Sequence, residues 1–151
     1  MEQLLPDWAP NAHPLIIHFP IALWLLATLF DLLSVIKPDN WLKKTVLSVY
    51  SLAALSALAA FLSGSQAIDE VAIPFQGEVT AGKHSDWGHY TLYFFISYAI
   101  IRLIAFWKRW DKIKLVTILL LLLGFIGSGM VAKTADLGGK LVYKYGVGTK
   151  K

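Results

Sequence analysis

The stretch Asn11–Asn40, NAHPLIIHFPIALWLLATLFDLLSVIKPDN, decides the fold. From Pro14 to Ile36 it offers enough chain to cross a bilayer core of roughly 30 Å at about 1.5 Å per residue. Pro14 suits a first helical position, where a missing N–H costs nothing, and it biases His13 away from helical geometry. Pro20 removes one backbone hydrogen bond beside His18. An anchoring helix has no need of His18 or Asp31, because ionisable groups at membrane depth are costly and tend to serve a function.

The rest of the chain repeats this character. It has 151 residues, 56% hydrophobic and 16% charged, and no cysteine. That composition fits one integral membrane domain over residues 1–151 and excludes disulfides, thiolate metal sites and covalently attached haem. Three further spans are expected at about 45–64, 86–107 and 114–132, giving an all-α membrane protein, a bundle of four transmembrane helices. The second span is crowded with small residues up to Ser63 and Gly64, and the fourth thins out at Gly124, Gly127, Ser128 and Gly129, where another helix or a flat ligand can approach the backbone. Residues 65–85 read as a polar outer loop. Residues 133–151 read as an outer tail, in which LGGKLVYKYGVG has a strand-like alternation. The opening segment, with Trp8, suits the membrane surface.

The basic residues of the net charge of +4 lie at helix ends, which argues for membrane orientation and against nucleic acid. Lys37, Lys43, Lys44, Lys108, Arg109, Lys112 and Lys114 follow spans one and three, whereas the middle loop has only Lys83. The positive-inside rule then puts both termini outside, on the periplasmic side of a bacterial inner membrane. Lys133, Lys140, Lys144, Lys150 and Lys151 of the tail oppose this mildly. The first span lacks a positive leading region, so it is expected to be retained rather than cleaved.

An offset of 71 residues aligns His13 with His84, His18 with His89, Asp31 with Arg102, Lys37 with Lys108 and Lys43 with Lys114. This is the pattern of two tandem helical hairpins related by a pseudo-two-fold axis along the membrane normal. It predicts four histidines at the outer end, at paired depths. Imidazoles meeting from parallel helices suit a b-type haem, whose iron takes axial histidine without needing cysteine. His18 and His89 are the first choice of ligands because both lie within the predicted helices. His13 and His84 lie at the water boundary, as supporting donors or as the ligands of a haem bound higher. Gly64 and Gly127 are expected to leave room for the ring, with Lys83, Lys133 or Lys140 meeting its propionates.

Two other readings stand beside haem: histidines that are purely structural in a non-catalytic membrane subunit or scaffold, and a zinc or copper site built from three or four of them. No nucleophile constellation is visible, so an electron carrier or subunit fits better than a stand-alone enzyme. Its expected partners are the bilayer, a periplasmic or membrane redox protein and, through the leucine face of span four, a second copy. Asp31 and Arg102 are expected to pair inside the membrane. His18 and Asp31, however, are 13 residues apart, which leaves them about 140° apart around an ideal helix.

With HPLIIHFPIAL followed by Asp31, and again with GGKLVYKYGVG, the chain resembles the small bacterial membrane proteins of domain of unknown function 2231. The resemblance covers nearly the whole chain. It implies four spans, the His13-Pro14-Leu15 and His18-Phe19-Pro20 signature, a histidine opening span three at His89, and a terminal motif at Gly138, Gly139, Tyr143, Gly146 and Gly148. Relatives often carry a histidine where this chain has Tyr145. The family name itself implies no activity.

Overall fold

The computed structural model describes residues 11–149, so Trp8, Lys150 and Lys151 lie outside it. Among the described residues it contains helices and turns and no strand. A short helix α1, His13–Ile16, leads into α2, His18–Ile36. The break at Ile17 has a local cause: Pro20 has no N–H to donate to the Ile16 carbonyl, so the ladder is interrupted where α1 ends. Lys37 leaves helical geometry ahead of Pro38, and α3, Asn40–Glu70, starts from Asp39, whose carboxylate accepts the Trp41 N–H at 2.6 Å. A 3₁₀ turn, Phe75–Gly77, precedes α4, Glu78–Trp107. A second, Trp110–Lys112, precedes α5, Lys114–Tyr143.

Four helical segments are long and apolar enough to cross a membrane: His13–Ile36, Asn40–Glu70, Phe75–Trp107 and Lys114–Tyr143. They form a four-helix membrane bundle whose outward-facing leucines, isoleucines and aromatics present a lipid-facing surface. Both α2 and α4 pack on α3 and α5, so each pair of repeat-equivalent helices lies on a diagonal.

Two segments differ from the sequence reading. Residues 65–85 are helical except around the turn between Glu70 and Glu78, because α3 and α4 run on past the apolar stretches. Polar composition there marks the approach to water, while Ala67 and Ala81 stay buried and keep both extensions packed. The tail is helical to Tyr143 and has no strand. Its apparent alternation places Leu137 in the core, and its glycines permit close packing rather than breaking the helix. The chain leaves the helix only afterwards, with Gly146 at φ +69°, a left-handed position where glycine carries no steric penalty. Tyr145 then lies against Gly77, and the Thr80 hydroxyl, helped by Lys144 and Lys140, holds its phenol below the ordinary value.

Candidate functional site: a paired stack along the bundle axis

The pseudo-two-fold relation is visible in contacts, not only in helix order. Trp24 and Phe95, 71 residues apart, stack across the centre with ring centroids 3.5 Å apart and planes inclined by 14°. Arg102 Nη2 donates to Asp31 Oδ2 across the same axis, nearer the end with the α2–α3 and α4–α5 turns, labelled inner after the side expected from its basic residues. At the opposite end, labelled outer, His13 Nδ1 lies 3.0 Å from Ser63 Oγ, and His84 Nδ1 lies 3.0 Å from the Thr134 carbonyl. Both contacts span 50 residues, and Ser63 and Thr134 are themselves 71 apart.

Helical phase explains why these three levels share one face. His13 to Asp31 and His84 to Arg102 are each 18 residues, or five turns of about 3.6. His13, Pro20, Trp24 and Asp31 therefore follow one stripe, and His84, Thr91, Phe95 and Arg102 the other. Pro20, Trp24, Asp31, Thr91 and Phe95 are all buried. His18 and His89 fall off this stripe.

The inner level is a closed polar cluster. Arg102 Nε donates to the Tyr98 hydroxyl at 2.9 Å, and that hydroxyl donates to the Leu120 carbonyl at 2.8 Å. The guanidinium also lies 5.0 Å from the Tyr50 ring centroid and 5.4 Å from that of Tyr98, within cation–π range. Asp31 is 1% exposed, so its charge relies on Arg102; the Ser34 hydroxyl bonds the Asp31 backbone carbonyl at 2.8 Å and lies 3.4 Å from the carboxylate. Below this cluster, Lys43 bonds the Asp111 carbonyl at 2.7 Å and its carboxylate at 3.3 Å.

The middle level depends on glycine. Trp24 donates its indole N–H to the Gly124 carbonyl at 3.0 Å, and a side chain at Gly127 would collide with the indole. The room expected at Gly127 is thus occupied by Trp24. Thr28 connects this level to Tyr50, with its hydroxyl 3.0 Å from the Tyr50 hydroxyl.

The outer level is different in kind. A carbonyl only accepts, so His84 must donate its Nδ1–H to Thr134. Ser63 Oγ lies 2.9 Å from the Ala60 carbonyl and 3.0 Å from His13 Nδ1; when its one proton goes to the carbonyl, its oxygen accepts from Nδ1. In that tautomer His13, like His84, carries its lone pair on Nε2. Each ring also lies against a glycine: a Cβ on Gly64 would come within 2.9 Å of His13 Cε1, and one on Gly138 within 3.0 Å of His84 Cε1.

The other two histidines are placed differently. His18 is exposed on α2. His89 is half-buried, bonds its own helix through the Ser85 carbonyl at 2.9 Å, and meets Phe61 of α3 edge-on with centroids 4.6 Å apart. Among the described residues, no group of three or more His, Asp or Glu side chains could hold a metal ion. The four histidines are therefore not gathered into the zinc or copper cluster considered from the sequence, because His18 and His89 turn away from the stripe. Of the candidate propionate partners, Lys140 already pairs with Asp136 at 2.7 Å, while Lys83 and Lys133 are exposed.

Ser63, Thr134 and Gly138 are residues of this level that the sequence reading misses. The 18-residue spacing points to the His13–His84 level, and the offset of 71 relates Ser63 to Thr134, but neither says which oxygen meets an imidazole.

A family of predicted membrane proteins, DUF2231, matches residues 9–151. The chain belongs to that family. This DUF2231 protein has no match among curated proteins or among solved structures. Membership agrees with the four membrane-crossing helices.

Proposed function

We propose that this DUF2231 protein binds a b-type haem between His13 and His84 and serves as a membrane electron carrier or as the electron-carrying subunit of a larger assembly. The observation that carries the proposal is the pair of imidazoles at repeat-equivalent positions, each held by an oxygen at Nδ1 and with no hydrogen-bond partner at Nε2 among the described residues. Ligand histidines are commonly held this way, the second nitrogen donating to an oxygen that fixes ring orientation and raises basicity. The donor set fits haem better than zinc, since two imidazole nitrogens would satisfy haem iron but would fill only half of a zinc site.

Haem bound there would supply one-electron redox chemistry. The chain's own part is to orient the imidazoles through Ser63 and Thr134, to seat them on Gly64 and Gly138, and to seal the level beneath with Trp24 and Phe95. The basic turns after α2 and α4 support an orientation with this end on the periplasmic side of the bacterial inner membrane, both termini included. A periplasmic or membrane redox protein would then exchange electrons at the outer end. The leucine-rich face of α5 is where a second copy would pack.

A structural role for the histidines in a scaffold is the competing reading. It is favoured by the fact that no buried side-chain nitrogen or oxygen among the described residues lacks a hydrogen-bond partner. Optical spectroscopy of protein produced with ample haem separates the two. The haem reading expects an absorption band that shifts on dithionite, is lost in His13→Ala or His84→Ala, and persists in His18→Ala and His89→Ala. A folded, colourless protein would overturn it; loss of the band only in the His18 and His89 variants would move the site to that pair.

A further inference from the structure

At the inner end of the bundle, beyond the cores of both repeats, a groove of about 760 Å³ opens beside the turn joining α4 to α5. Leu103, Ile104 and Trp107 form its apolar wall, and Asn40, Arg109 and Lys112 its polar rim. Leu103, Ile104 and Trp107 are all exposed. A wall of this kind faces acyl chains, and a tryptophan at its end suits the headgroup boundary.

Two observations distinguish the groove from an ordinary basic helix end. Arg109 has φ 59° and ψ 23°, and among the described residues it is the only non-glycine residue with a positive φ. Glycine is the default for such a position, so the backbone alone gives no reason for arginine. Charge is the second observation. Asp111, the acidic residue of the lining, is held by Lys43, whereas neither Arg109 nor Lys112 takes part in an ion pair among the described residues. The groove thus presents, above an apolar wall, two cations with no ion-pair partner among the described residues.

We propose that it seats an anionic phospholipid. Arg109 and Lys112 take the phosphate, Asn40 adds a polar contact, and the first acyl segment follows Leu103 and Ile104. Arginine suits this position because its planar fork can bind phosphate oxygens in pairs, and basic pockets between helices on the inner side are a recurrent means of holding lipid headgroups. The inference is independent of haem.

The test is lipid retention by the full-length protein in nanodiscs of phosphatidylcholine and phosphatidylglycerol, read by native mass spectrometry after release into mild detergent. Wild-type protein should retain phosphatidylglycerol in preference to phosphatidylcholine. Arg109→Gly and Lys112→Gln should each weaken retention about tenfold, the scale of one charge-assisted hydrogen bond. Removing Lys37 and Lys44, basic residues of the same end that do not line the groove, should change it by less than about twofold per residue. Arg109→Gly should also raise the thermal midpoint by relieving the left-handed backbone, so its loss of lipid would not reflect unfolding. Undiminished retention in Arg109→Gly, equal retention of both lipids, or an equal loss in Lys37→Gln/Lys44→Gln would each overturn the proposal.

Discussion

The two ends of the bundle solve the same symmetry in opposite ways. At the inner end the repeat places an aspartate opposite an arginine, and the pair satisfies itself: one donates, the other accepts, and Tyr98 and Ser34 complete the bonding. At the outer end it places a histidine opposite a histidine. Each sets its Nδ1 against an oxygen of another helix. Unlike residues at equivalent positions close on one another; like residues cannot, and each has to find its partner elsewhere. That contrast is why the inner pair reads as a structural clamp and the outer pair is the one taken for the proposed site.

The largest effect should come from breaking the clamp on one side. Arg102→Met leaves the Asp31 carboxylate buried without its counter-charge and should cost about 3–5 kcal/mol, the range for removing one member of a buried pair. The double variant Asp31→Leu/Arg102→Met should recover most of that loss, since two apolar residues replace two charges. Chemical unfolding in detergent, followed by circular dichroism, measures both. A single variant that loses less than about 1 kcal/mol would show that Asp31 does not depend on Arg102, because exposed pairs are worth no more than this.

The middle level should respond less, and with a change of sign within three residues. Gly127→Ala drives a methyl group into the Trp24 indole, and such overpacking costs about 1–3 kcal/mol. Gly129 has nothing within 4 Å of its would-be Cβ, so Gly129→Ala should stabilise by up to about 1 kcal/mol through helix propensity. The same unfolding assay decides it. Equal effects at the two positions would mean that Trp24 does not fill the notch at Gly127.

Much of this arrangement could be read from the chain. Four apolar runs and an offset of 71 residues sufficed for the bundle and its pseudo-symmetry, because hydrophobic length and chemical matching survive without coordinates. The ends of the helices were less legible. Gln66, Asp69 and Glu70 resemble a loop by polarity, yet polarity also marks a helix leaving the membrane. GGKLVY resembles a strand by alternation, yet Leu137 and Gly138 are drawn into the bundle by α4. Position inside the expected spans favours His18 and His89 as ligands. The same angular arithmetic that puts His18 about 140° from Asp31 puts His13 in phase with it, and that phase is the reason the proposal turns to His13 and His84. What no spacing could supply was the oxygen opposite each Nδ1, since Ser63 and Thr134 come from the other helix of each hairpin.

The smallest effects belong to the histidines outside the stack. His18 is exposed, so His18→Ala should change stability by no more than about 0.5 kcal/mol. His89 meets Phe61 edge-on and bonds the Ser85 carbonyl of its own helix, so His89→Ala should cost about 0.5–1.5 kcal/mol, the value of one aromatic contact. Among the described residues neither ring is hydrogen-bonded to a neighbouring helix, as His13 is at Ser63 and His84 at Thr134. His13→Ala and His84→Ala should therefore each cost more than His18→Ala and His89→Ala, even in protein stripped of any cofactor. Comparing the four variants in that state isolates the anchoring oxygens from anything the imidazoles bind. If His18→Ala proved the most damaging of the four, the 18-residue stripe would not be the axis on which the outer end is built.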